Sequence, residues 1–370
     1  MMLALIVLAV LCLAYANGAN DNFKGVATLF GSGTANYRGA LIWATVTTLL
    51  GSLAAAILAE KLLKNFSGRG LVSDDLVAHP DFVAAVALGA GLTVLLATRI
   101  GMPISTTHSL VGALVGAGWA AGSAVNGTKL ATDFFLPLLV SPLVAIVTTT
   151  AVYLVLHTAR RGLSIKAESC FCVGKEVIEI VPVLDSSAVV ARIEQLSIKS
   201  GTSVTCRSRY QGQFLGVEVG PLFDWLHYLS AGIVSFARGL NDTPKIAALL
   251  LTVPLLGNFG SVSVIGVAIA LGGLFSAWRV AEMMSQKITP MNHGQGFTAN
   301  LITGIVVIGA SHLGMPVSTT HVSCGALFGI GTVTRQARWG TILAILLAWL
   351  TTLPAGMVLG ATCYSVLAAI

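Results

Sequence analysis

The chain has 370 residues, 55% of them hydrophobic and 10% charged, and its mean hydropathy is +0.86. So few polar groups cannot coat a water-soluble globule of this length, which excludes a soluble protein and indicates several membrane crossings. The net charge of +6 comes from scattered basic residues without an aromatic-interleaved stripe, which excludes a nucleic-acid partner.

Barrel-like alternation over ten-residue segments is absent, so helices must be the spanning element. Forty glycines among long Leu, Val, Ala and Ile runs fit closely packed helices. In chain order, the first apolar run covers about 1 to 17; it lacks the basic start of a signal peptide and is read as a retained first helix. A short piece follows at about 22 to 34, interrupted by glycines and opened by Asn20, Asp21 and Lys24 in "NGANDNFKGVATL". Runs at about 39 to 63 and 82 to 99 are long enough to cross or nearly cross a bilayer. A second interrupted piece, about 102 to 122, contains "GMPISTTHSLVGALVGAG", and a run at about 134 to 157 closes a first membrane block, residues 1 to 157.

Residues 158 to 221 are polar and carry alternating stretches, "EVIEIVPVL" and "VARIEQLSI", which predict a small β-rich insert. Eight of the 21 Lys and Arg residues fall there, opened by Arg160 and Arg161, which predicts a cytoplasmic location. Its cysteines, Cys170, Cys172 and Cys206, are expected as reduced thiols. Cys170 and Cys172 share one strand face, but C-x-C without further ligands is a weak metal signal, and no metal is assigned. The second membrane block, residues 222 to 370, has spans at about 222 to 237, 261 to 285, 297 to 313 and 341 to 367. Interrupted pieces lie at about 243 to 256 and 316 to 333.

The two blocks repeat each other. "GMPISTTH" at 101 to 108 recurs as "GMPVSTTH" at 314 to 321, an offset of 213, and Asn20-Asp21 and Lys24 recur as Asn241-Asp242 and Lys245, an offset of 221. Two motifs repeated in one order at nearly one offset indicate a duplicated membrane unit with broken or re-entrant helices. Pro103 suits a first helical position, and Ser105, Thr106 and Thr107 add hydroxyls to the free N–H groups of that helix start, an anion site; Ser318, Thr319 and Thr320 repeat it. Helix capping is the plain alternative for one copy, and the duplication favours a site. Asp21 and Asp242 are intramembrane carboxylates and so candidates for the coupling ion or proton. Thr243 and Pro244 predict a new helix whose first turn holds Lys245, at the wrong end of the dipole unless an anion sits beside it. His108 and His321 follow the hydroxyls on one face and are read as supporting groups that orient them, with proton carriage as the alternative. A Ser/His hydrolase is the rival from another class, but no nucleophile elbow or orienting acid accompanies the pair, so an enzyme is not expected.

With these motifs in place, the sequence resembles the inorganic phosphate transporter (PiT) family of secondary transporters over residues 1 to 157 and 222 to 370, on Gly18-Ala19-Asn20-Asp21 and "GMPVSTTH". The resemblance implies two inverted repeats, a homodimer in the plasma or inner membrane and cation-coupled phosphate symport by alternating access. The anion and coupling ion would be held by Asn20, Asp21, Asn241, Asp242 and both hydroxyl triplets. It also exposes departures. The family's usual amide is replaced by Lys24 and by Lys245, and glutamates of sodium-coupled members by Thr48 and Asn300. The lysines are thus expected to bind substrate as built-in countercations, with Na+ or H+ as coupling cation and no other cofactor. Sulfate or another tetrahedral oxyanion is the alternative substrate, and a passive anion channel the alternative mechanism.

Overall fold

The computed structural model describes residues 2–166, 168–179, 192–210, 212–252 and 257–370. It divides into two units, one of residues 1–153 and 227–370 and the other of residues 154–226. The first unit is helical. Seven helices among the described residues are long and apolar enough to cross a membrane: Met2–Gly25, Tyr37–Leu58, Pro80–Arg99, Gly127–Gly162, Gly257–Ser276, His293–Leu313 and Trp339–Leu367. Leu8, Ile57, Leu96, Leu350 and Val358 point outward from these helices, as lipid-facing side chains do.

The first helix, Met2–Asp21, is packed on the Pro80–Arg99 and Gly257–Ser276 helices, with Ile6, Val10 and Leu13 buried. It ends where the polar run Asn20-Asp21-Asn22 begins; a 3₁₀ turn, Asn22–Gly25, and a short helix, Ala27–Gly31, continue it. The equivalent second element differs from the sequence expectation. The span at 222 to 237 and the piece at 243 to 256 are not separated at Thr243: one helix, Val219–Ala247, runs through Pro244 and passes into a 3₁₀ turn, Ala248–Thr252. Residues 253–256 of that piece lie outside the described residues. Lys245 therefore stands in the last helical turn, and Lys24 in the turn that ends its own element. The dipole conflict disappears, because a cation at a helix C-terminus is favourable.

Thr106–Ala120 and Thr319–Val333 are matched helices of 15 residues each. Their N-caps, Ser105 and Ser318, have near-identical backbone angles (φ −94°, ψ 113° and φ −95°, ψ 113°) and accept hydrogen bonds from the His108 and His321 N–H groups. Each helix carries Gly-x-x-x-Gly, a spacing that places both glycines on one face. Gly112 and Gly116 meet the backbone of Trp339–Leu367 at Leu353, Gly356 and Met357, whereas Gly325 and Gly329 meet Pro142 and Ile146 of Leu136–Gly162. A Cβ at Gly116 would lie 1.9 Å from the Met357 carbonyl oxygen, and the facing Gly360 would lie 2.6 Å from that of Ala113. Only glycine permits so close an approach of two backbones.

The second unit contains a three-stranded antiparallel sheet in the order β2-β1-β3, formed by β1 (Ser169–Glu179), β2 (Arg192–Thr202) and β3 (Phe214–Glu218). A short helix, Ser203–Arg209, follows β2 from a capping box at Thr202 and Thr205. "EVIEIVPVL" beyond residue 179 and "VARIEQLSI" before residue 192 lie outside the described residues. The expectation of reduced thiols is corrected here, since Cys172 and Cys206 form a disulfide. Residue alternation puts Cys172 on the face that Ser203–Arg209 covers, which brings the two sulfurs together.

Gly116→Val is expected to lower unfolding stability by about 1–3 kcal/mol through overpacking against Met357. Gly309→Ala, where an added Cβ meets nothing within 4 Å, is expected to be neutral. Thermal unfolding of the detergent-solubilised protein, read with size-exclusion profiles, distinguishes the two.

Candidate functional site

The sequence-predicted residues converge on one buried cluster inside the helical unit. Asp21, Lys24, Asp242 and Lys245 are each at most 3% exposed. Each lysine pairs with the aspartate three residues before it: Lys24 with Asp21, and Lys245 Nζ at 3.4 Å from Asp242 Oδ1. These short-range pairs follow from local helical spacing.

The lysines also cross between the two copies of the motif. Lys24 Nζ donates to the Ile104 carbonyl (2.8 Å) beside the first hydroxyl triplet and to Thr320 Oγ1 (2.6 Å) of the second. Lys245 Nζ mirrors this, donating to the Val317 carbonyl (2.7 Å) beside the second triplet and to Thr107 Oγ1 (2.8 Å) of the first. Thr320 Oγ1 in turn donates to the Ile104 carbonyl at 2.8 Å. The N-terminal turns of Thr106–Ala120 and Thr319–Val333 thus meet, and the His108 and His321 rings lie 4.5 Å apart between centroids. His321 stacks on Trp349 at 3.8 Å, and Trp349 Nε1 donates to the Pro103 carbonyl at 3.2 Å.

The carboxylates are held by hydroxyls and amides. Thr106 Oγ1 donates to Asp21 Oδ2 (3.2 Å), and Thr319 Oγ1 to Asp242 Oδ2 (3.4 Å). Asn20 donates to Thr98 Oγ1 (2.9 Å) and accepts from the Ile104 N–H (3.1 Å), while Asn241 donates to Asp242 and to the Val317 carbonyl and accepts from Ser311 (3.2 Å). Ser105 and Ser318 are the exception among the hydroxyls, since both oxygens accept from the first turn of their own helices and serve there as caps. Thr48 and Asn300 are buried and neutral: Thr48 donates to the Ser235 carbonyl, and Asn300 bonds Thr28.

Two members escaped the sequence reading. Arg238, 1% exposed, donates to Asn17 Oδ1 (3.2 Å) and Asn22 Oδ1 (3.1 Å). Asn17 donates to both carboxylates, Asp21 (3.1 Å) and Asp242 (3.4 Å), and to Thr106 (3.0 Å), so it bridges the two copies. The signals were present: Arg238 is a further intramembrane charge one helical turn before Asp242, and Asn17 stands one turn before Asp21. Three cations and two carboxylates give this buried cluster a formal charge of +1. Such an excess, ringed by hydroxyls and by the free N–H groups of two helix starts, can hold a small oxyanion.

Asp21→Asn is expected to destabilise the protein by about 3–5 kcal/mol, because Lys24 loses its buried counter-charge. Asp21→Asn combined with Lys24→Met should lose less than the single change. Denaturant titration in detergent reads both, and a double variant no better than the single would mean that the pair is not coupled.

A model of the phosphate transporter family matches residues 17–360. A candidate phosphate permease of Pyrococcus horikoshii is 30% identical, over 94% of this chain and 93% of that protein. A candidate low-affinity inorganic phosphate transporter of Rhizobium meliloti is 29% identical, over 95% of this chain and 92% of that one. Among solved structures, one described as the sodium-dependent phosphate transporter matches with a TM-score of 0.75 at 21% identity, covering 100% of this chain and 99% of that one.

Proposed function

The chain belongs to the phosphate transporter family, and from that premise we propose that it carries inorganic phosphate across a lipid bilayer by alternating access. The anion is taken between the N-terminal turns of Thr106–Ala120 and Thr319–Val333. The observation that carries this reading is the formal +1 charge of a buried cluster, built on a duplicated Asp/Lys pair with Arg238 added, whose cations all face oxygen acceptors. An entering phosphate competes for Thr107, Thr320 and the first-turn N–H groups, and in doing so loosens the cross-links Lys24–Thr320 and Lys245–Thr107. Those cross-links join the two copies, so substrate binding acts on the contact that keeps the halves together.

The blocks 1–157 and 222–370 serve as two inverted repeats that rock about this contact, residues 158–221 form a cytoplasmic insert, and the transporter is a homodimer of the plasma or inner membrane. Each ammonium group occupies a shell of carboxylate, hydroxyl and main-chain carbonyl oxygens, the donor set that a small alkali cation takes. Lys24 and Lys245 therefore act as fixed countercations in place of mobile sodium, and protons become the coupling ion, taken up at Asp21 or Asp242. The same carboxylates favour phosphate over sulfate, since hydrogen phosphate can donate a hydrogen bond to them and sulfate cannot.

In proteoliposomes, labelled phosphate should accumulate against its gradient when a proton gradient is imposed in sodium-free buffer. Lys24→Met should cut uptake about tenfold or more through loss of its charge-assisted bonds. Strong sodium dependence would overturn the countercation role, and passive equilibration alone would leave a channel. Thr107→Val and Thr320→Val should each raise KM for phosphate, and excess sulfate should compete poorly; sulfate uptake equal to phosphate uptake would reverse the substrate assignment.

A further inference from the structure

Outside the transport site, the second unit buries three sulfurs together. Cys170, Cys172 and Cys206 are at most 3% exposed, and their Sγ atoms all lie within 4.8 Å of one another. Two of the three form the Cys172–Cys206 disulfide. The third is not accounted for by that bond: Cys170 Sγ sits 3.3 Å from Cys172 Sγ, on the same face of β1. A structural disulfide needs only two cysteines, and the third, on the same inward face of β1, adds a sulfur that the bond does not use.

The surroundings keep space open for the sulfurs. Opposite Cys170 in β2 stands Gly201, and opposite Cys172 in β3 stands Gly216. A Cβ at Gly216 would approach Cys170 Sγ to 3.0 Å, and one at Gly201 would come within 3.7 Å of Cys206 Sγ. Tyr210 and Phe214 close the cluster on its apolar side. The donor set is entirely soft, and among the described residues no histidine or carboxylate joins it.

We propose that, with the disulfide reduced, Cys170, Cys172 and Cys206 bind one soft metal ion through three thiolates. Two molecules of a low-molecular-weight thiol reduce the bond, leaving two protein thiols and their own disulfide; the metal then displaces the thiol protons. Thiolate sulfur selects Cu(I) and Zn(II) among biological metals. Cu(I) is the best fit, because zinc completes a tetrahedron and needs a fourth donor that the buried trio does not supply. The site is independent of phosphate transport, so it stands or falls separately from the function proposed above.

The test uses the full chain, purified in detergent and reduced anaerobically with a phosphine, which takes the disulfide to two thiols and becomes the phosphine oxide with oxygen from water. After removal of the reductant, the chain is titrated with Cu(I), and separately with Zn(II), against a chromogenic chelator. One equivalent per chain is expected, with Cu(I) held more tightly, and Cys170→Ser, which leaves the disulfide pair intact, should weaken binding by about tenfold or more. Retained secondary structure by circular dichroism qualifies that variant, and Gly216→Ala, which crowds Cys170 without removing a sulfur, should weaken binding in the same direction. Absence of stoichiometric binding of either metal, or equal binding by wild type and Cys170→Ser, would overturn the proposal.

Discussion

Five ionisable side chains, Asp21, Lys24, Arg238, Asp242 and Lys245, are buried within a unit whose outer surface is apolar, and each of them would be expensive to leave unpaired there. Their mutual neutralisation constrains the rest of the helical unit. The lysines complete their oxygen shells only where the two hydroxyl-bearing helix starts are brought together, because each ammonium donates one bond to each triplet region. Asn17 and Arg238 complete the arrangement by linking the first helix to both carboxylates and to Asn22. The site and the junction between the copies are therefore one set of hydrogen bonds.

Helix packing makes that meeting geometrically available. Gly-x-x-x-Gly faces let the Thr106–Ala120 helix lie directly against Trp339–Leu367, and the Thr319–Val333 helix against Leu136–Gly162. Each short helix thus leans on a long helix and turns its polar N-terminal end inward. The serine caps at Ser105 and Ser318 hold those ends in a defined conformation, while the threonines that follow are directed at carboxylates, ammonium groups and main-chain carbonyls. One triplet performs two jobs that a sequence motif presents as one.

The position of the lysines relative to their helices changes their electrostatics. Read from Thr243-Pro244, Lys245 faces a helix N-terminus; in the folded chain Pro244 is inside a continuous helix and Lys245 stands at its C-terminal end. A cation there is stabilised by the helix itself as well as by Asp242. The cluster can thus carry more positive than negative groups, a local excess that suits an anionic guest.

Much was legible in the amino-acid sequence: membrane insertion from composition, duplication from two offsets, and most members of the buried cluster from charges and hydroxyls standing where hydrocarbon neighbours make them costly. Arg238 and Asn17 were legible by the same rule and were overlooked because they flank the repeated motifs instead of lying inside them. Which residues touch was decided only in three dimensions. The crossing of Lys24 to Thr320 and of Lys245 to Thr107 spans 296 and 138 residues, and no local periodicity encodes such a pairing. The run of the helix through Pro244 and the meeting of three cysteines around one strand face are likewise tertiary outcomes. Local spacing determines which side chains share a face, whereas packing determines what that face meets.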